Sequence, residues 1–251
     1  MKLAVSGKGG VGKTTFSALL ARTMSERGKS VLAIDADPDA NLAAALGIAD
    51  ADKITPIAEM KELIFERTGA QPGTIGGFFK LNPKVDDIPD TLSARLDNIK
   101  LMRLGSVKKG GSGCLCPEST LLKALVTHVV LGRNEVVIMD MEAGIEHLGR
   151  ATAQAVDKLI VVVEPGRRSI DTAEHIKRLA GEIHLKNIAV VGNKIRGPKD
   201  EEFLRTHLKD FEFLGFLPYD NDLIEADLSG VSPYETATAA KTVVAGIIDK
   251  L

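Results

Sequence analysis

Short, nearly unbroken apolar runs alternate along this chain with longer stretches of mixed character. Lys2–Ser6, Ser30–Ile34, Ile99–Gly105, Glu135–Asp140, Lys158–Val163, Asn187–Val191 and Phe211–Phe216 read as strands. Several carry no polar interruption, as in Leu159-Ile160-Val161-Val162-Val163, which suits parallel strands covered on both faces. Between them Lys13–Arg27, Glu118–Leu131, Ser169–Glu182, Glu201–Leu208 and Pro233–Asp249 have the length of helices. The alternation predicts an α/β fold, a doubly wound and mainly parallel sheet with helices on both faces. Its functional site is expected at the carboxyl ends of the strands.

The stretch from Ile48 to Asp97 breaks this rhythm with Gly, Pro and charged residues. A structureless loop of that length is improbable inside a compact domain, so a helix is expected around Ile57–Arg67 and a mobile excursion around Gly69–Pro89. The 251 residues suit a single domain spanning 1–251, and 44% hydrophobic residues allow a sizeable core. Aromatics make up 4% with no Trp, which argues against a base-stacking or carbohydrate surface. A net charge of −2 offers no electrostatic footprint for nucleic acid. No leader pattern or membrane-length apolar run is present, and the Ala- and Val-rich stretch Val231–Leu251 reads as sheet-packing rather than membrane-binding. The two cysteines, Cys114 and Cys116, are poorly spaced for a structural disulfide, so a reducing, cytoplasmic setting is expected.

Chemistry concentrates after the first strand. Gly7-Lys8-Gly9-Gly10-Val11-Gly12-Lys13-Thr14 fits G-x-x-x-x-G-K-[ST] between a strand and a helix, with Thr15 following. Glycines at Gly7, Gly9, Gly10 and Gly12 let backbone N–H groups wrap phosphate oxygens at the positive end of a helix. Lys13 would supply charge to the outer phosphates of ATP or ADP, and the Thr14 hydroxyl would coordinate Mg²⁺. After the second strand, Asp35-Ala36-Asp37-Pro38-Asp39 places carboxylates where they could order Mg²⁺ and an attacking water, although Asp35 and Asp39 also suit helix capping. The strand ending at Asp140 has the form of a metal-holding Walker B segment, and Gly144 beyond it could sense a γ-phosphate.

Lys8 makes the loop resemble the deviant Walker A of the family containing nitrogenase iron protein, the Min-system ATPase and the ParA partition ATPases. The resemblance implies Mg-dependent ATP hydrolysis and a face-to-face homodimer in which Lys8 reaches the partner's nucleotide like an arginine finger; the alternative for Lys8 is a solvated surface lysine. It also aligns Asp37 with the family's water-orienting aspartate, gives Asn41 a weak, water-mediated role near the metal, sets Asn193 at a strand end to bond adenine, and puts Leu217 and Pro218 in a base-lining loop after the last strand. Those last three are ordinary turn residues as well.

Gly113-Cys114-Leu115-Cys116-Pro117 supplies half of a four-coordinate soft-metal site. A symmetric dimer would supply the other half, with tetrahedral geometry suiting Zn²⁺ and square-planar geometry Ni²⁺. Together with Asp140-Met141-Glu142-Ala143-Gly144-Ile145-Glu146-His147, this pair resembles the CooC-type accessory ATPases that insert nickel during carbon monoxide dehydrogenase maturation; similar proteins serve acetyl-CoA synthase. The resemblance implies an ATP-driven metallochaperone with either enzyme as client. Two cysteines per chain could also bridge a [4Fe–4S] cluster in an electron-transfer ATPase, and a Min- or ParA-like spatial organiser is a third reading. Glu142, Glu146 and His147 could touch metal or partner, although a helix start beside Gly144 explains the acids equally well, and His147 is not assigned as a ligand.

Overall fold

A computed structural model describes residues 1–70, 79–105, 117–132, 135–144 and 155–251. Among these, eight strands form one sheet: β1 (Lys2–Gly7), β2 (Val31–Ala36), β3 (Ala94–Leu96), β4 (Ile99–Arg103), β5 (Val136–Met141), β6 (Lys158–Val163), β7 (Ile188–Ile195) and β8 (Glu212–Pro218). Their order is β3-β4-β2-β5-β1-β6-β7-β8, and all pairings are parallel except the edge pair β3–β4. From β1 the chain winds to one side through β2 and β4, then to the other through β6, β7 and β8. The crevice where the direction reverses opens beyond the carboxyl end of β1, the predicted place for a ligand.

Successive residues of a strand face opposite sides, and this explains the continuous apolar runs. Leu159, Val161 and Val163 enter one core and Ile160 and Val162 the other. The first core is covered by α3 (Lys61–Thr68), α4 (Ile88–Thr91), α5 (Pro117–Gly132), α6 (Arg167–Glu182) and α7 (Pro198–His207). The second is covered by α1 (Lys13–Glu26), α2 (Leu42–Leu46), α9 (Pro233–Thr236) and α10 (Thr238–Ile248). Between β8 and α9 lies α8 (Asn221–Ser229). The same parity decides the site: Val136 and Ile138 face the α1 side, so Asp140 does too, and Asp35 follows Val31 and Ala33 there.

Several expectations need correction. The helix expected over Pro233–Asp249 is two helices, because Ala237 adopts φ −80° and ψ 70° and interrupts the ladder. The Ile57–Arg67 helix is a 3₁₀ turn at Ile57–Glu59 followed by α3. The last two strands run further than expected, so Asn193 lies inside β7, and Leu217 and Pro218 lie inside β8 rather than after it. A register irregularity between Gly192 and Ile195, with Lys194 at φ 58°, carries β7 past the point where its apolar run stops. Of the excursion expected around Gly69–Pro89, residues 71–78 lie outside the described ones. Among the described residues no helix is long and apolar enough to cross a membrane.

Candidate nucleotide site

The phosphate loop leaves β1 through Gly7 and enters α1 at Gly12. Gly7 has φ 148°, and a Cβ there would collide with the Val162 carbonyl; Gly12 has φ 95°, and a Cβ there would collide with the Asn193 amide. Only glycine lets the loop turn this tightly over β6 and β7. No side chain caps α1, whose first turn holds no acidic residue, so its N-terminal donors suit an anion. Lys13 is 6% exposed and donates to the Lys8 carbonyl at 3.5 Å, folding its ammonium back over the loop. Val11 is buried, Thr14 and Thr15 are half-buried, and Gly9 and Gly10 are exposed at the loop's crest.

Beneath the loop, α1 grips the Asp140 carboxylate. Thr14 Oγ1 donates to Asp140 Oδ2 at 2.7 Å, and Ser17 Oγ donates to Asp140 Oδ1 at 3.1 Å. Burial pushes Asp140 up to about 7; the Thr14 and Ser17 hydrogen bonds and Lys13 oppose the rise, while Asp35 adds to it. Asp35 lies in register with Asp140 on the neighbouring strand. Its own burial pushes it up to about 6, against the pull of the N–H groups of Leu42 and Asp37. A hydroxyl and two adjacent buried carboxylates form a set of hard oxygens, and a divalent cation would favour their ionised forms. The residues present therefore fit Mg²⁺ beside a bound phosphate chain.

Asp35 organises the loop that follows it. Its Oδ1 accepts from Asp37 N–H at 3.3 Å and its Oδ2 from Leu42 N–H, the first of α2, at 3.0 Å, while its carboxylate stays beside Asp140. Asp37 is half-buried beside the site, and its Oδ1 accepts from Asp39 N–H at 3.0 Å. Asp39 and Asn41 are exposed, and Asn41 Nδ2 donates to the Asp39 carbonyl at 2.7 Å.

The residues expected near a base divide. Asn193 is 6% exposed and its amide is engaged below the loop: Nδ2 donates to the Val11 carbonyl at 2.8 Å and Oδ1 accepts from Lys194 N–H at 2.9 Å. Leu217 is 1% exposed in the core, and Pro218 after it is half-buried.

Four residues that spacing did not suggest join the site. Ser17 holds Asp140, and Ser6 donates to the Gly144 carbonyl at 2.7 Å while accepting from Gly144 N–H at 3.3 Å. Gly144, at φ 120°, is thus tied to the strand that launches the phosphate loop. Glu164 accepts from Lys8 Nζ at 3.0 Å and from Lys194 Nζ at 2.9 Å. Ser17, one turn after Thr14 on the same face, was legible from helical periodicity; the other contacts join distant parts of the chain.

The family model of the CobQ/CobB/MinD/ParA nucleotide-binding domain matches residues 2–234. The chain belongs to that family of P-loop ATP-binding proteins. It is a homologue of the carbon monoxide dehydrogenase accessory protein CooC of Rhodospirillum rubrum, 47% identical over 244 residues, covering 96% of this chain and 92% of the relative. An ATP-binding protein of Methanocaldococcus jannaschii is 44% identical, covering 97% of this chain and 95% of its own. Solved structures share the fold: MinD of Aquifex aeolicus has a TM-score of 0.68 at 22% identity, covering 100% of this chain and 96% of that one. MinD of Pyrococcus horikoshii complexed with Mg-ADP also has a TM-score of 0.68, at 18% identity, covering 99% and 94%.

Cys114, Cys116, Glu146 and His147 lie outside the described residues. Among the described residues, no group of three or more His, Cys, Asp or Glu could hold a metal ion. Glu142 is exposed at the end of β5.

Proposed function

We propose that this protein is an ATP-hydrolysing metallochaperone that carries nickel to apo carbon monoxide dehydrogenase or apo acetyl-CoA synthase. The observation that carries this reading is the 47% identity to CooC over 96% of the chain, together with the Cys114-Leu115-Cys116 pair. In this reading the loop N–H groups and Lys13 hold the phosphates. Asp37 orients the attacking water, whose oxygen bonds to the γ-phosphorus as the bond to the ADP oxygen breaks. Thr14, and Asp140 through a water, would hold Mg²⁺, which would neutralise charge on the phosphates. Lys8 of each chain reaches the partner's nucleotide, and Gly144 relays loss of the γ-phosphate through its tie to Ser6.

Closure on ATP brings Cys114 and Cys116 of both chains together as four thiolates around one metal ion, Ni²⁺ or Zn²⁺. Hydrolysis removes the bias toward the closed dimer, and the metal passes to the client. The test is reconstitution of nickel-deficient client by nickel-loaded protein. Activation is expected with Mg·ATP and the wild-type chain, and is expected to fail with Lys13→Ala or Cys114→Ser. Equal activation with ADP, or by Lys13→Ala, would show that nickel delivery is not driven by ATP.

A further inference from the structure

Glu164 stands just beyond β6, and its carboxylate bridges two lysines that flank the phosphate loop. Oε1 accepts from Lys8 Nζ at 3.0 Å, and Oε2 accepts from Lys194 Nζ at 2.9 Å. Lys194 also donates to the Gly10 carbonyl at 2.8 Å, so its ammonium is fixed at two points. The backbone of Glu164 is anchored as well, its N–H donating at 3.0 Å to Ser169 Oγ, which is itself 2% exposed. Burial opposes the charge on Glu164, but the two lysines outweigh it and hold the carboxyl below its ordinary range. Glu164 is the one ion-pair partner of either lysine among the described residues, and Lys8, at 35% side-chain exposure, has no second acceptor there like the Gly10 carbonyl that Lys194 holds.

We infer that Glu164 is a positioning residue that parks Lys8 within its own chain, and that release of Lys8 from Glu164 sets how readily two chains close on ATP. The inference rests on the reading above in which Lys8 acts on the partner's nucleotide. To do so, the ammonium must exchange a carboxylate in cis for phosphate oxygens in trans. The ion pair therefore stabilises the open state alone, and it acts as a threshold against closure at low ATP or low protein concentration. Lys194, held also by the loop carbonyl, stays behind and keeps the carboxylate in place for Lys8 to return to after hydrolysis. An ion pair this exposed shifts an equilibrium roughly two- to fivefold, and a dimer breaks one in each chain, so the combined effect is roughly four- to twenty-fivefold.

The experiment follows dimerisation by analytical ultracentrifugation with Mg²⁺ and a slowly hydrolysed ATP analogue. It compares wild type, Glu164→Gln, Glu164→Ala, Lys8→Ala and the Lys8→Ala/Glu164→Gln double variant. The expected result is a dimerisation midpoint roughly four- to twenty-fivefold lower in Glu164→Gln and Glu164→Ala. Lys8→Ala should raise the midpoint, and the double variant should match Lys8→Ala, because no lysine remains to release. Glu164→Gln and Glu164→Ala within twofold of wild type, while Lys8→Ala still weakens the dimer, would overturn the parking role and leave Lys8 in trans intact. A Lys8→Ala midpoint equal to wild type would remove the trans role, and the inference with it.

Discussion

Replacing Ser17 with alanine tests the buried grip on Asp140 most sharply. Ser17 is fully buried and its hydroxyl donates to Asp140 Oδ1 at 3.1 Å. A hydrogen bond to a charged acceptor contributes about 1.5–3 kcal/mol. Asp140 is pushed up to about 7 and is ionised only part of the time near neutrality, which reduces the expected loss to about 1–2 kcal/mol. For a chain of 251 residues that corresponds to a drop in Tm of roughly 2–8 °C. A purely structural contact would do no more than this. Thr14, however, is both the other donor to Asp140 and the hydroxyl assigned to Mg²⁺, so Ser17 must keep Asp140 in place when Thr14 engages the metal. The strengthening of ATP binding by Mg²⁺, measured by fluorescence titration of a labelled nucleotide, should therefore fall about 5- to 30-fold in Ser17→Ala. Affinity without Mg²⁺ should change little. An unchanged Mg²⁺ effect alongside the lower Tm would refute the positioning role and leave Ser17 as packing.

Asp35 and Asp140 bind protons in the folded chain up to about pH 6 and 7, well above the ordinary 3.8. Their contribution to stability is complete below pH 3.8 and lost as pH rises through those folded values. Differential scanning calorimetry of nucleotide-free protein should show Asp35→Asn gaining on wild type as pH rises from about 4 to 6 and levelling off above, by at most about 3 kcal/mol; a gap independent of pH would contradict this. Asn193→Ala should leave the Val11 carbonyl and the Lys194 N–H without their side-chain partner, costing about 1–3 kcal/mol in chemical denaturation. It should also weaken nucleotide binding by loosening the loop, and wild-type affinity in that variant would make Asn193 a support of β7 alone.

The central strands were legible because both their faces are buried, which leaves an apolar run with few competing readings. β3 was not, since it has three residues and its Arg95 is exposed; the cue was the two-residue connection Asp97-Asn98, with Asp97 at φ 50°. α8 escaped notice because only Ala226 among its residues is buried, although Asp220 caps its start, accepting from Asp222 N–H, and Gly230 ends it. In the site, the phosphate loop and Asp140 could be read because phosphate binding fixes residue types at short spacing. Glu164 and Ser6 could not, since they meet Lys8 and Gly144 across 156 and 138 residues of chain. Asn193 was legible as a residue of the site, but its engagement below the loop depends on β7 running on to Ile195, which no local pattern announced.

The most direct test of the account is an anaerobic nickel titration of the reduced protein, with molar mass followed by light scattering. The account predicts one nickel per dimer, a thiolate charge-transfer absorbance that grows with the dimer, and loss of both in Cys114→Ser. A protein that stays monomeric and takes up no nickel, or a Cys114→Ser variant that binds nickel and dimerises as the wild type does, would contradict it.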